Sequence, residues 1–153
     1  MKALVLHAVG DLRYDDVQLP KRESDEVTVS IKAAGICGSD VPRVFSKGTY
    51  HFPTVPGHEF SGIIADADNQ HMIGKKVVVF PLVPCGICEF CKVGKYELCT
   101  NYDYYGSRRD GGFSEQLNVK ISNLVFLPDD MDLSLAALAE PASVALHAIR
   151  QCG

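Results

Sequence analysis

The sequence predicts a mainly β domain with a few short helices, a cysteine-rich lobe in its middle and a helix at its C-terminal end. Three observations support this prediction. Short runs rich in Val, Leu and Ile are separated by turn residues over most of the chain. Pro53, Pro56 and Pro84 disfavour regular helix through the middle of the chain. Beyond residue 130 the composition becomes rich in alanine, which favours helix.

The predicted strands are short apolar runs bounded by Gly, Pro or acidic residues. They span residues 2–8, 12–18, 26–34, 59–65, 76–80, 112–119 and 123–127. The third run alternates apolar and polar residues from Glu26 to Lys32, so one of its faces should be buried. A short helical turn is predicted at 39–45. Longer helical segments are predicted at 133–139 and 141–150, the second with Pro141 in a favourable first-turn position.

The composition indicates one globular domain with a core of its own, because 46% of the 153 residues are hydrophobic and 22% are charged. The formal net charge is −4, and the only basic doublets, Lys75-Lys76 and Arg108-Arg109, are isolated, which argues against a nucleic-acid surface. The apolar stretch at the N-terminus is too short for a signal peptide or a membrane span. We therefore expect a cytoplasmic protein without nucleic-acid or membrane partners.

Four of the six cysteines, Cys85, Cys88, Cys91 and Cys99, are separated by only two, two and seven residues. A two-residue spacing lets a short turn place two sulfur atoms about 3.5 to 4 Å apart around one Zn²⁺, at a Zn–S distance of about 2.3 Å. A disulfide framework is the alternative, but cysteines so close in sequence pair poorly because disulfide geometry is strict. The pattern predicts a closed, four-thiolate structural zinc site that cannot itself bind substrate.

A second group of candidate ligands comes from two separate segments. Cys37, Ser39 and Asp40 follow the third predicted strand, and His58 and Glu59 lie about twenty residues further on. Taken singly, each has an ordinary interpretation as a buried thiol, a turn or core residue, or a solvated carboxylate. Together, a thiolate, an imidazole and a carboxylate form a candidate metal site if the two segments meet.

The motifs resemble the N-terminal domain of zinc-containing medium-chain alcohol and polyol dehydrogenases. The resemblance is carried, in chain order, by Cys37-Gly-Ser-Asp, Gly57-His-Glu-Phe-Ser-Gly, the four-cysteine segment and Glu140-Pro. It covers nearly the whole chain. It implies a GroES-like, partly open β-barrel over residues 1–140, with the zinc lobe at about 84–101. Residues 141–153 would begin a helix that leads to a Rossmann domain, whose Gly-x-Gly-x-x-Gly turn is absent from this sequence.

The resemblance also implies the roles of the catalytic residues. Cys37 and His58 would bind a catalytic zinc, with Glu59 or Glu140 as the third protein ligand. Both carboxylates remain candidates. A substrate oxygen or water would occupy the open position, where zinc acts as a Lewis acid.

Two further residues of the first motif have roles implied by the resemblance. Ser39 would pass the alcohol proton onward, and a turn role is its alternative. Asp40 would accept a hydrogen bond from the nitrogen of His58 that does not bind metal. An N-cap for the following helix is the alternative for Asp40.

The resemblance implies that the whole protein oxidises a secondary alcohol of a polyol or sugar-alcohol phosphate to a ketone. It would use two Zn²⁺, one catalytic and one structural, together with NAD(P), and would form a homo-oligomer. This chain alone would be inactive. The alternative from a different functional class is a stand-alone zinc-binding or interaction module without catalysis.

Sugar-alcohol phosphate dehydrogenases are the members that segments 39–43 and 106–113 resemble most. Arg43, with Arg108 or Arg109, is therefore a candidate for binding the substrate's phosphate through charge-assisted hydrogen bonds. The alternative is that these arginines are surface cations or form ion pairs with Asp103 and Asp110.

Overall fold

A computed structural model describes residues 1–152, which contain nine β-strands and four α-helices. The strands are β1 (Lys2–Ala8), β2 (Asp11–Asp16), β3 (Glu26–Gly35), β4 (Glu59–Asp66), β5 (Lys76–Val79), β6 (Leu82–Val83), β7 (Asp103–Tyr104), β8 (Gln116–Lys120) and β9 (Leu124–Phe126). The α-helices are α1 (Asp40–Pro42), α2 (Glu89–Lys92), α3 (Leu133–Ala136) and α4 (Ala139–Gln151). The prediction of a mainly β fold with short helices is confirmed.

Five strands form an antiparallel sheet in the order β8-β3-β4-β5-β9. The β1-β2 hairpin is joined to other segments by isolated bridges, from Ala3 to Ser114 and from Leu6 to Thr54. The short β6-β7 pair closes the base of the cysteine-rich segment, because the chain leaves the fold after β6 and returns at β7. The lobe is therefore an insertion between two hydrogen-bonded strands.

The core lies against the central strands of the five-stranded sheet. Val27 and Val29 from β3 and Phe60 from β4 are fully buried. Tyr105 meets the ring of Phe60 edge-on at a centroid distance of 6.3 Å, and its hydroxyl accepts a hydrogen bond from the Lys120 N–H at 3.0 Å. Burying each such side chain stabilises the fold by about 1.5 to 3 kcal/mol.

Strand β3 is buried more completely than its alternating sequence predicts. Val27 and Val29 form the expected buried face, but Glu26 and Thr28 are also less than a tenth exposed. Side chains from other segments, Asn118 of β8 and Arg109, contact Thr28 and Glu26 on the second face. The Thr28 hydroxyl donates to the Asn118 side chain at 2.9 Å, and Glu26 accepts from Arg109 at 3.2 Å, so both buried polar groups are satisfied.

The helical predictions agree with the structure in position. The turn predicted at 39–45 is α1 followed by a π-helical segment at Arg43–Lys47, and Pro141 is the third residue of α4. Single 3₁₀ turns occur at Gln70–Met72, Tyr96–Leu98 and Ile121–Asn123. Gly153, the last residue of the predicted 141–153 segment, lies outside the described residues. Within residues 1–152, none of the helices has the length and apolarity needed to cross a membrane.

Candidate metal centres

The four lobe cysteines lie close together in two pairs. The Cys85 and Cys91 sulfur atoms are 3.9 Å apart, those of Cys88 and Cys99 are 4.0 Å apart, and all four lie within 4.8 Å of one another. All four are free thiols, and these distances are far from the S–S bond length of about 2.05 Å. A tetrahedral zinc with Zn–S of about 2.3 Å would have sulfur–sulfur edges of about 3.8 Å. The sulfur positions therefore fit a four-thiolate zinc.

The backbone of the lobe directs N–H groups at these sulfur atoms. Cys88 is the N-cap of α2 and its sulfur accepts from the Cys91 N–H at 3.5 Å, while the Cys99 sulfur accepts from the Cys85 N–H at 3.3 Å. Hydrogen bonds from the Cys91 and Thr100 backbone lower the pKa of Cys88 to about 6. Burial, followed by the neighbouring sulfur of Cys88, raises the pKa of Cys91 to about 12. Four thiolates in this space would repel one another, so a bound cation would stabilise them.

The second cluster forms where β3 ends and β4 begins. These strands are antiparallel, and Gly35, the last residue of β3, pairs with Glu59, the first residue of β4. Cys37, two residues beyond β3, and His58, one residue before β4, consequently lie at the same edge of the sheet. Cys37, His58 and Glu59 each offer a ligand atom within 4.8 Å of the others. A side chain at position 35 would overlap the Glu59 carboxylate, so glycine leaves that carboxylate its space.

Asp40 connects the two segments that carry this cluster. Its side chain is buried and accepts from the Cys37 N–H at 3.0 Å and from Arg43 Nη1 at 2.9 Å. His58 Nδ1 lies 3.5 Å from Asp40 Oδ1 and has no closer hydrogen-bond partner among the described residues. Because Nδ1 faces Asp40, Nε2 is the ring nitrogen available to a metal. The N-cap alternative is wrong, since Asp40 is the first residue of α1 and Ser39 is its N-cap.

Charge and burial act together on His58 and Asp40. Burial disfavours the charged form of His58, but Asp40, and then Cys37, raise its pKa to about 9. Burial would raise the pKa of Asp40, but hydrogen bonding and charge from His58 lower it below its usual value. The two side chains therefore stabilise each other's charged forms. A metal at Nε2 would take the place of the second proton of the imidazole.

The two candidate carboxylates occupy different positions. Glu59 is buried and belongs to the cluster. Glu140 lies in the first turn of α4 and, among the described residues, is not part of the cluster. Glu140 is nevertheless close by. Burial raises its pKa, as does the negative charge of Glu59, while His58 lowers it.

A cavity of about 500 Å³ opens beside the second cluster. It is lined by Ser39, Arg43, His58, Tyr50, Tyr102 and Tyr104, among other residues. Its volume suits a small-molecule ligand. The Ser39 hydroxyl makes no cap hydrogen bond to α1, which leaves it free for a proton-transfer role. The three tyrosines were not identified from the sequence, because no local motif marks an aromatic residue as part of a cavity.

The three arginines proposed for phosphate binding lie in different surroundings. Arg43 lines the cavity beside Ser39 and His58. The Arg108 guanidinium lies between the rings of Tyr50 and Tyr102, 4.0 and 4.4 Å from their centroids. Arg109 pairs with Glu26 at 3.2 Å and with Asp103 at 3.9 Å, which agrees with the ion-pair alternative. Asp110 instead accepts from the Val55 N–H. Of the three arginines, the structure brings only Arg43 next to the cluster.

Comparisons with known proteins agree with this geometry. Residues 23–129 match the family model of the alcohol dehydrogenase GroES-like domain. Galactitol 1-phosphate 5-dehydrogenase of Escherichia coli K12 is 43% identical over 97% of this chain and 44% of its own length. Sorbitol dehydrogenase of Bacillus subtilis is 34% identical over 97% of this chain and 44% of its own length. The resemblance to a sugar-alcohol phosphate dehydrogenase is thus confirmed.

Solved structures show the same relationship. The crystal structure of galactitol-1-phosphate dehydrogenase from Escherichia coli superposes with a TM-score of 0.90, over 97% of this chain and 44% of that chain. A structure described as a short chain alcohol dehydrogenase from Escherichia coli CFT073, complexed with NADH, gives 0.89 at 34% identity, over 95% of this chain and 44% of that one. The GroES-like fold is confirmed. The chain spans less than half the length of these relatives.

Proposed function

Because the chain belongs to the alcohol dehydrogenase GroES-like domain family, we propose that it is the catalytic domain of a zinc- and NAD(P)-dependent dehydrogenase. The whole protein would oxidise a secondary alcohol of a polyol or sugar-alcohol phosphate to the ketone. The observation that carries the proposal is the Cys37–His58–Glu59 cluster beside a cavity that also contains Ser39. Relatives that share this part of the chain are named as polyol and polyol-phosphate dehydrogenases.

Cys37, His58 and Glu59 would hold the catalytic zinc, with Glu140 as the alternative carboxylate, and the four lobe cysteines would hold the structural zinc. When bound at the cluster, zinc supplies Lewis-acid polarisation of the alcohol or ketone oxygen. The donor sets differ in a way that suits these roles. Four sulfur ligands complete a tetrahedral site, whereas three protein ligands leave one position open for substrate.

The surrounding residues have roles that follow from their contacts. The Asp40 carboxylate orients the His58 ring by facing Nδ1. It also fixes the Cys37 backbone by accepting a hydrogen bond from the Cys37 N–H. The Ser39 hydroxyl would accept the alcohol proton and pass it towards solvent, because Ser39 is exposed at the cavity wall. Arg43 gives one guanidinium nitrogen to Asp40. Its other nitrogens remain candidates for the phosphate of a phosphorylated polyol.

Residues 1–140 would form the catalytic domain, and α4 would begin the connection to a nucleotide-binding domain. The exposed surface of α4 supports this division. None of its residues is buried, and Val144, Leu146 and Ile149 are between 48% and 69% exposed. Such a surface is typical of a helix that packs against further protein. The thiolate-rich lobe suits a reducing compartment, and we expect the protein to act in the cytoplasm.

The test is Cys37→Ser in the whole protein, with Cys152→Ser as the matched control because Cys152 is exposed and outside both clusters. We expect two zinc ions per chain and NAD(P)⁺-dependent oxidation of polyols or their phosphates in the wild type and the control, since the structure has two clusters. Cys37→Ser should retain the lobe zinc and lose turnover. Full turnover in Cys37→Ser, or a doubly metallated wild type inactive on every polyol and polyol phosphate tested, would contradict the proposal. The second result would favour a non-catalytic zinc module.

A further inference from the structure

The Arg108 side chain lies between two tyrosines that come from different parts of the chain. Tyr50 belongs to the segment between the π-helical segment and β4, and Tyr102 immediately precedes β7. The Arg108 guanidinium is 4.0 Å from the ring centroid of Tyr50 and 4.4 Å from that of Tyr102. Both tyrosines line the cavity beside the second cluster, and Arg108 is not among its lining residues. The guanidinium therefore joins two parts of the cavity wall without lining the cavity itself.

Two side-chain contacts fasten the Tyr50 segment to the turn that carries Arg108. The Thr49 hydroxyl donates to the Ser107 carbonyl at 2.7 Å, and His51 Nε2 lies 3.1 Å from the Arg108 carbonyl. These contacts fix the backbone on both sides of Tyr50. The Tyr50 side chain is nevertheless exposed, so burial alone does not restrain its ring. The stack with Arg108 supplies that restraint.

The Arg108 guanidinium has no acidic partner that would explain its position. Among residues 1–152, no carboxylate forms an ion pair with Arg108, whereas Arg43 and Arg109 each pair with acidic side chains. Arg108 Nε is buried and has no hydrogen-bond partner in this part of the chain. A planar guanidinium can stack on an aromatic ring with each of its faces, and the attraction grows where the charge is partly removed from water. The two ring contacts therefore account for where this charge lies.

We propose that Arg108 is a positioning residue for the substrate, which holds Tyr50 and Tyr102 together as one wall of the cavity and does not itself bind a phosphate. The inference rests on the dehydrogenase function proposed above. The second cluster is assembled separately, by the pairing of β3 with β4. Loss of the stack can therefore change the shape of the cavity without moving the proposed metal ligands. It should weaken substrate binding more than it slows the chemical step.

The test compares the wild type with Arg108→Met in the whole protein, with a polyol and its phosphate as substrates. Methionine keeps an unbranched side chain and removes both the charge and the plane of the guanidinium. Because two cation–π contacts are lost, we expect KM to rise about tenfold on both substrates, with kcat changed less than about threefold. Both zinc sites should stay filled. Arg13→Met is the matched control and should keep the wild-type KM, since Arg13 is an exposed arginine of β2 that does not line the cavity.

Two further variants separate positioning from direct binding of a phosphate. Arg108→Lys keeps a charge that a phosphate could use but loses the planar group, so its KM should also rise on both substrates. This conservative variant carries the test if Arg108→Met does not fold. Tyr50→Leu removes one side of the stack. Its combination with Arg108→Met should cost less than the product of the two single losses, because both changes break the same contact.

Four results would overturn the inference. The first is a wild-type KM in Arg108→Lys and in Arg108→Met. The second is a rise in KM that is confined to the phosphorylated substrate and reversed by lysine, which would make Arg108 a phosphate ligand. The third is a loss of zinc, or a fall in kcat as large as the rise in KM, which would give the stack a purely structural role. The fourth is a double variant whose loss equals the product of the single losses. A metallated wild type inactive on every polyol and polyol phosphate tested would instead overturn the proposed function, and this inference with it.

Discussion

Replacing Gly111 by alanine should destabilise the protein and disturb the second metal centre, although Gly111 is not a candidate ligand. The added Cβ would overlap the Gly57 carbonyl oxygen and lie 2.5 Å from Gly106 Cα, where ordinary contact begins at 3.4 Å. Both obstacles are backbone atoms that cannot rotate away. The backbone must therefore move by about 0.9 Å at Gly106, and Gly57 is joined directly to His58.

The magnitude follows from what this movement breaks. The Gly111 N–H donates to the Val55 carbonyl, and the Gly112 N–H donates to the Gly57 carbonyl, each at 2.8 Å. Overpacking typically costs about 1 to 3 kcal/mol, and each lost hydrogen bond about 1 kcal/mol. If both hydrogen bonds are lost, we expect a loss of about 3 to 5 kcal/mol in the free energy of unfolding. For a domain of this size, that corresponds to a melting temperature about 10 °C lower.

Urea denaturation of the metal-loaded protein measures the effect, and two glycines provide controls. A Cβ added at Gly38 would meet no atom within 4 Å, and the residue has no positive φ. The free energy of unfolding of Gly38→Ala should therefore stay within about 1 kcal/mol of the wild-type value. A Cβ added at Gly74 would also meet no atom, but Gly74 has a φ of +84°. Gly74→Ala therefore measures only the cost of a left-handed backbone for alanine, about 1 to 2 kcal/mol. If Gly111→Ala unfolds within 1 kcal/mol of the wild type, the steric argument is wrong.

Three further variants test individual assignments. Cys91→Ser removes a ligand from the lobe. It should therefore lower the metal content by one ion per chain and the free energy of unfolding by about 2 kcal/mol or more. Unchanged metal content and melting temperature would refute the lobe assignment. Ser39→Ala in the whole protein should lower kcat about 100-fold, because the hydroxyl that transfers the proton is lost. The melting temperature should not change, since the Ser39 hydroxyl makes no cap hydrogen bond. An unchanged kcat in steady-state kinetics would show that Ser39 takes no part in proton transfer. Arg43→Ala should raise KM about 10-fold or more for a phosphorylated polyol and much less for its unphosphorylated counterpart; equal losses on both substrates would show that Arg43 acts only through Asp40.

Most of the strands could be predicted because they carry their own apolar pattern and turn residues. Strands β6 and β7 were not predicted, because each has only two residues and is too short to show an alternation of apolar and polar residues. The short helix α2 was missed because the cap comes from the Cys88 sulfur, and cysteine is not a usual N-cap residue. The burial of Glu26 could not be predicted either, because it depends on Arg109, which is distant in the chain.

The candidate site was predictable to the extent that its residues belong to short motifs. Neither spacing nor composition shows that Gly35 pairs with Glu59. This strand register is what brings Cys37 and His58 together. Tyr104 carries no local signal, because its position depends on the β6-β7 pair and on the turn that follows it. Arg109 shows the opposite failure. Arg108 and Arg109 were alternative phosphate ligands that the sequence did not distinguish, but the two side chains lie in different environments.

The balance of charge indicates that both clusters suit a divalent cation, and the number of ligands distinguishes them. Around the second cluster, the acidic side chains of Asp40, Glu59 and Glu140 and the thiol of Cys37 face a single arginine, Arg43. Burial raises the pKa of Glu140, and the negative charge of Glu59 raises it further. A bound Zn²⁺ would offset the excess. In the lobe, four sulfur atoms surround the cation and complete its coordination. In the second cluster, Asp40 is occupied by Cys37 and Arg43. With the proposed ligands Cys37, His58 and one carboxylate, a tetrahedral ion would keep a fourth position open beside the cavity.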